Sequence, residues 1–436
     1  MGFLNFCFKC ILGTVAIILV ILYVPGIPPH VEYEAFDVDP AHPREGPLAK
    51  NYILDSAERM YEGELICPES MASRAVNELF VSLHNGSIAR VWGHDFEKVK
   101  IVATIGPGCA GPWEESICGR PLGLRFSDRK LLVADSYLGI FEVDIDTGKK
   151  VRLVDPDVPI GGLKPKVIDD LDIDNDGNIY WSDASTQIYL EDGLVELISQ
   201  PSGRLIKYDA KTKKNEVLIP RVHFANGVQL SPAQDFVLVS ETFRHKVRRY
   251  WLKGPKAGTS DIFVSGLPGM PDNIRPRKDG GYYLSLVTSR NPDHFDFYDL
   301  TSRSTGLRKF AARATAIVQN FVKLINYYYP NKFCANFSYK IFSLGVISNW
   351  IYRGETIIVE VDEVGKIIGS LQGSTGIVKL ISETQQVGDN LFFGSPYVPF
   401  LGRLRLDKKS AGTKKPSSTK KPSSGKKPSA KAKEEL

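Results

Sequence analysis

The sequence predicts an all-β protein: a six-bladed β-propeller with a helical insertion, one N-terminal transmembrane helix and a disordered C-terminal tail. Three observations carry this. Between residues 61 and 406, short runs of alternating Val, Ile, Tyr and Phe recur between glycine-containing turns, as in "NELFVSLHNGSIARVWG" (77–93), "GNIYWSDAS" (177–185) and "GGYYLSLVTS" (280–289). That alternation is the signal of strands paired through turns. About 345 residues shared among six units gives roughly 58 each, somewhat above familiar propeller repeats, and the segment 291–345 accounts for the excess. An apolar run precedes this body and a Lys/Ser/Pro-rich run follows it.

At the N-terminus, "ILGTVAIILVILYV" (11–24) holds no charge and "PGIPP" stops it, which predicts a signal anchor over 11–27. This is at the short end of the roughly 17–25 residues a span needs. A cleaved signal peptide is the rival reading. The flank Val24-Pro25-Gly26-Ile27-Pro28-Pro29 lacks a small-x-small cleavage site, which favours the anchor. Lys9 precedes the run, whereas Glu32, Glu34, Asp37 and Asp39 follow it. Positive charge stays inside, so residues 1–10 form a short cytoplasmic N-terminus and the body is lumenal or extracellular. The expectation is a single-pass type II protein of the plasma membrane or endoplasmic reticulum. Phe6 in "MGFLNF" argues against myristoylation. Residues 28–60 read as a linker.

The composition of the 436 residues, 43% hydrophobic and 24% charged, is ordinary for a globular protein. The net charge of +5 is local: from Asp407 onward ten lysines face three acids, leaving the rest near −2. A folded basic surface for nucleic acid is therefore excluded. The tail 407–436, with "KKPSS" repeated, cannot bury enough surface to fold and is attracted to anionic surfaces. Its last residues, "KEEL", resemble a lumenal retrieval signal.

Of six cysteines, Cys109 and Cys118 sit nine apart in the Gly/Pro-rich "GCAGPWEESICGRP", a loop that tolerates and benefits from a disulfide. Cys7 and Cys10 flank the predicted anchor, as acylation sites or apolar fillers, and Cys67 and Cys334 show no evident partner. Asn85-Gly-Ser and Asn336-Phe-Ser are glycosylation sequons, usable on the lumenal side. Within the insertion, "LRKFAARATAIVQNFVKLINYYYP" (307–330) spaces Phe310, Ala314, Ile317, Phe321, Leu324 and Tyr328 as one helical face. The helix either caps the propeller or lies on the membrane or over a substrate entrance.

Polar residues just before strands are the candidate chemistry. "CPESM" offers Glu69, "VIDDLDID" (167–174) Asp169 and Asp170, "VHFANGVQL" (222–230) Asn226, and "MPDNI" Asp272 and Asn273. The inner strands of a propeller line one channel, so equivalent positions converge from distant parts of the chain. Carboxylate and amide oxygens converging there are hard ligands and suit calcium. Each motif alone is equally a turn signal. "DIDNDGNIYWSD" mimics EF-hand spacing with Asp172, Asp174, Asp176 and Asp183, but its flanks read as strands, which makes it an Asp-Gly hairpin. No nucleophile elbow, P-loop or zinc pattern is present. His223, His245 and His294 are the histidines of the body that could serve a site, or be structural.

"CGRPLGL", "GRLIKYD", "FANGVQLSPAQDFVLVSET" and "YWLKGPKAGTSDIFVSGLPGMPDNI" resemble the animal branch of the strictosidine synthase-like family. The resemblance covers residues 60–406 and implies six blades, a single N-terminal anchor and a Cys109–Cys118 disulfide. The plant enzymes condense an amine with an aldehyde through a glutamate of the sixth blade. Leu380 stands there in this sequence, with Glu383 three residues on, which argues against condensation. The same superfamily holds calcium-dependent hydrolases similar to paraoxonase and gluconolactonase. Their ligand pattern falls on Glu69, Asp169, Asn226 and Asp272, with Asn273 as fifth. Where those hydrolases keep a second-blade histidine, this chain has Leu122. The resemblance implies an arylesterase- or lactonase-like calcium-dependent hydrolase, with Asp272 as ligand, nucleophile or base. The other reading is a non-catalytic, membrane-displayed binding module with a structural calcium.

Overall fold

The computed structural model describes residues 2–291, 297–352 and 354–406. The tail 407–436, Arg353 and His294 lie outside the described residues.

Six four-stranded antiparallel sheets follow one another along the chain, an arrangement consistent with six propeller blades. Their first strands are Met71–Ala75, Pro121–Ser127, Ile168–Ile173, Ala225–Leu230, Gly269–Pro276 and Glu383–Val387. Each of these touches the first strand of the next sheet, and the sixth touches the first. Sheet six borrows its outer strand, Glu58–Met60, from the N-terminal side, where it pairs with Leu401–Arg405. The alternating residues read from the sequence pack between neighbouring sheets. Leu132, Ile140, Leu171, Trp181 and Ile206 fill one such layer, and Leu238, Val247, Ile274, Leu284 and Val359 another. The EF-hand mimic is a hairpin, with Ile173 opposite Ile179. Asp174 there accepts from the Asp176 and Asn178 amides.

Among the described residues there are seven α-helices, α1 (Gly2–Tyr23), α2 (Glu115–Cys118), α3 (Gly193–Ile198), α4 (Phe297–Thr301), α5 (Thr305–Tyr328), α6 (Lys332–Phe342) and α7 (Leu344–Ile351), besides short 3-10 turns. Helix α1 is long and apolar enough to cross a membrane, a test that a signal sequence near an N-terminus also passes. It begins nine residues before the predicted 11–27, because Phe3, Leu4, Phe6 and Phe8 continue the apolar run past Lys9. Cys7 and Cys10 therefore lie inside the helix rather than beside it. A disulfide joins Cys109 to Cys118.

The segment read as a linker, 28–60, is instead tied along the body. Arg308, Arg244 and Arg290 donate to the carbonyls of Glu34, Asp37 and Asp39, and the His42 amide donates to Gly266. Phe36, Leu48 and Leu54 are buried. Arginines from α5 and from the turns beside the sheets hold the segment by satisfying carbonyls that a free one would give to water.

Helices α4 to α7 are inserted between Tyr282–Ser289 and Thr356–Val361, paired strands of sheet five, so the insertion runs past the predicted end at 345. Helix α5 matches the predicted helix to within two residues, yet its seated face is another one. Arg308, Ala312, Ala316 and Gln319 are buried, while Ile317, Phe321, Leu324 and Tyr328 are exposed. Small residues allow close approach to α3 and α6, and Arg308 caps carbonyls of Ile198 and Ser302.

Candidate functional site

Five of the six first strands carry a register break; in three of them it falls at the candidate residues and in a fourth at Leu122. In sheet three it lies between Ile168 and Leu171, in sheet four between Ala225 and Val228, in sheet five between Pro271 and Ile274, and in sheet two between Pro121 and Gly123. A bulge adds a residue and re-aims side chains that a regular pleat would point into a neighbouring sheet. Asp169, Asn226 and Asp272 are thereby turned onto one cavity, with Leu122 at the equivalent place in sheet two. Glu69 reaches it from the residues just ahead of Met71–Ala75. Adjacent first strands approach closely here. A Cβ on Gly227 would meet the Asp272 carbonyl oxygen at 2.5 Å, and one on Gly123 the Asp169 carbonyl oxygen at 2.7 Å, so both positions require glycine.

The cavity measures about 570 Å³. Leu122, Leu197, Phe224, Met270 and Val287 give it apolar walls, and α6, α7 and Tyr397 cover it. Among the described residues, four buried oxygens at its polar end, one each from Glu69, Asp169, Asn226 and Asp272, have no hydrogen-bond partner, and neither the oxygen nor the nitrogen of the Asn273 side chain has one. Four of these residues line the cavity; Asn273 lies behind Asp272, its amide donating to the Ser382 carbonyl. Burial, and then mutual repulsion, pushes Glu69 and Asp169 well above the usual carboxylate range. Asp272 is raised by burial as well, and its neighbour Asn226 draws it partly back. Stranded oxygens and carboxylates that resist ionising are what a buried polar cluster lacking its counter-charge looks like. Three carboxylates and two amide oxygens are the donor set of a hard divalent cation. The carboxylates do not by themselves form such a site: among the described residues no three Asp, Glu, His or Cys groups are gathered in metal-holding geometry.

The second residue of the bulge in sheet three has another use. Asp170 faces away from the cavity, where Arg275 donates to both its oxygens at 2.9 and 3.3 Å and also bonds Glu383. Glu383 further accepts from the Met71 amide at 2.8 Å and the Ser70 hydroxyl at 2.9 Å. This buried arginine with its two acids bridges the first strands of sheets three, five and six. Glu383, the sequence's nearest stand-in for the condensing glutamate, is thus tied up beside the cavity, and Leu380 packs in an apolar cluster.

Sequence reasoning missed four further groups on the cavity wall: Arg120, His84, Tyr339 and Tyr397. Arg120 is buried next to Glu69, Glu115 and Cys67 and donates to the Pro396 carbonyl. Burial, helped by Arg120, lowers His84 to about 4, so its ring is neutral at physiological pH. Tyr339 reaches across from α6 to Glu115 at 3.1 Å. The cluster "CGRP" around Arg120 was the one available signal, and it read as a disulfide loop. His223 and His245 are not on the wall. His223 bonds the Glu196 carbonyl at 2.9 Å and packs on Phe36 and Phe243, and His245 packs beside Tyr298.

A strictosidine synthase family model matches residues 169–255, and a strictosidine synthase-like N-terminal model matches residues 46–91. The adipocyte plasma membrane-associated protein hemomucin of Drosophila melanogaster is 35% identical over 411 residues, which is 92% of this chain and 70% of its own. The adipocyte plasma membrane-associated protein of Gallus gallus is 34% identical over 366 residues, 83% of this chain and 80% of its own. Among solved structures, a gluconolactonase from Xanthomonas campestris matches with a TM-score of 0.51 at 15% identity, over 88% of this chain and 99% of its own. At that identity the likeness is one of fold.

Proposed function

The chain belongs to the strictosidine synthase-like family, and on that premise we propose that it is a membrane-anchored, calcium-dependent hydrolase of esters or lactones rather than a condensing enzyme. The observation that carries this reading is the set of partnerless oxygens of Glu69, Asp169, Asn226 and Asp272 at the end of an apolar cavity, with that of Asn273 behind them. Glu69, Asp169, Asn226 and Asp272 would hold the ion, with Asn273 as fifth ligand. Calcium, when bound, supplies positive charge that draws electron density from a substrate carbonyl.

The remaining work falls to the chain's own residues. Leu122, Leu197, Phe224, Met270 and Val287 remove the acyl or alkyl part of the substrate from water. Asp272, poised at the bulge of sheet five, takes a proton from water whose oxygen bonds to the acyl carbon. The ester C–O bond then breaks, and the departing alcohol carries that proton away. His84 is a neutral imidazole on the same wall and the second group able to accept it. Condensation of an amine with an aldehyde lacks its acid: the sixth sheet offers Leu380 in an apolar cluster and Glu383 already paired with Arg275.

Hydrolysis of aryl esters and lactones by the full chain in detergent, with calcium, with chelator and after calcium is restored, tests this. Turnover that disappears and returns supports the reading. A folded, calcium-loaded protein inert on the whole panel overturns it. That result favours a binding module with a structural calcium, a reading that Leu122 supports by filling the hydrolase histidine's place with an apolar wall.

A further inference from the structure

The predicted apolar stripe of α5 is left uncovered by the protein. Phe321 is 62% exposed, Leu324 53% and Tyr328 67%, and the row continues round the turn through Tyr327 and Tyr329 to Phe333, 77% exposed on α6. A helix that merely capped the sheets would turn these residues inward. Here the small and polar face of α5 is the one seated against the body.

Two further observations identify what covers the edge. First, α1 and α5 are in contact at the end of α1. Arg313 of α5 donates to the carbonyls of Ile21, Leu22 and Val24, and Lys309 sits over the Tyr23 ring. The exposed edge is therefore continuous with the end of the helix that is long and apolar enough to cross a membrane. Second, residues 305–352 contain six Lys or Arg and no Asp or Glu. Aromatic and aliphatic side chains on one edge, cations on the flanks and an absence of acids suit a bilayer surface, where tyrosine sits at headgroup level and lysine reaches anionic lipid.

We propose that the outer edge of the α5–α6 hairpin, from Ile317 through Tyr327–Tyr329 to Phe333, seats in the surface of the bilayer that α1 crosses. The inference rests on α1 being retained as a membrane helix, and it is independent of any catalysis at the cavity. One consequence concerns Asn336. It lies on α6 between Phe333 and Phe337, and an edge buried in lipid leaves that sequon no room for a glycan.

The test uses the full chain with Phe321→Trp, reconstituted into phosphatidylcholine–phosphatidylserine vesicles with plain or brominated acyl chains. Wild type, with its five tryptophans, supplies the baseline. The added emission is expected to be blue-shifted and to be mostly lost in the brominated vesicles. Val151→Trp, on an exposed strand of sheet two, is expected to emit as in water and to keep its intensity. Tyr328→Trp reads the same edge should the first variant misfold. Water-like, unquenched emission from both edge positions overturns the proposal. A blue shift without bromine quenching, together with a doubled particle mass, also overturns it, because a second copy then covers the edge.

Discussion

Replacing Arg275 with methionine removes the cation that bonds both Asp170 and Glu383 while keeping most of the side-chain volume, and leaves Arg125 at 3.6 Å from Asp170. The arginine side chain is 2% exposed and both acid side chains are fully buried. Breaking a buried ion pair by deleting one partner costs about 3–5 kcal/mol, since the other charge is left in low dielectric. Asp170 keeps the Val228 amide at 2.8 Å and Glu383 keeps the Met71 amide and the Ser70 hydroxyl, which places the cost at the lower end, about 3 kcal/mol. A folded body of about 350 residues has an unfolding entropy near 0.7 kcal/mol per degree, so the midpoint should fall by about 4 °C. Burial already raises Glu383, and Arg275 is the first of the groups that lower it. Without the arginine, its folded-state pKa rises further above the unfolded value. A raised carboxylate binds its proton more tightly in the folded state, so stability is present at low pH and lost as pH rises through the folded pKa. The deficit of Arg275→Met should therefore be greater at about pH 8 than at about pH 5.5. Thermal unfolding of calcium-loaded protein at the two pH values reads both effects. A midpoint at pH 8 indistinguishable from wild type, or a deficit that widens on acidification, refutes the argument.

Two other predictions concern the cavity and the hairpin. Glu69, Asp169 and Asp272 are raised by burial and repulsion, so calcium must displace protons: affinity should tighten from about pH 5.5 to about pH 8. Calorimetry in two buffers of different ionisation enthalpy measures the release, and heats independent of buffer would contradict it. Glycan occupancy separates the two sequons. Asn85 in an exposed turn should be modified and Asn336 should not, so Asn85→Gln should abolish the mobility shift given by glycosidase and Asn336→Gln should leave it unchanged.

The strands were legible because their alternation is local and repeats. Asp169, Asn226 and Asp272 were legible as candidates from their place before strands that should line one channel, and the resemblance sharpened them into a ligand set, since each motif alone is also a turn. Nothing in "IDDL" tells that Asp169 faces the cavity while Asp170 meets Arg275; that is decided by a bulge, and a bulge depends on the partner strand. Arg275 itself reads as one more strand residue, because its partners lie 105 and 108 residues away. Helical spacing located α5 to within two residues but left open whether its apolar stripe faces the body, and the exposed stripe goes against the capping alternative. An apolar stripe is driven out of water without specifying what receives it, and the small residues Ala312 and Ala316 fit the body better. His84 and Tyr397 were invisible for a simpler reason: single residues in loops carry no pattern.

The strand Glu58–Met60 has a bearing on how the protein is made. It leaves the ribosome early, yet its partner, Leu401–Arg405, emerges about 340 residues later, some 20–70 s at ordinary synthesis rates. Until Gly266, Arg290 and Arg308 emerge, Phe36, Leu48 and Leu54, buried in the finished fold, lack the groups that tie down their segment. The nascent chain thus presents an apolar N-terminal segment for most of its elongation, a window for chaperone capture. The earlier-made strand waits for the later one.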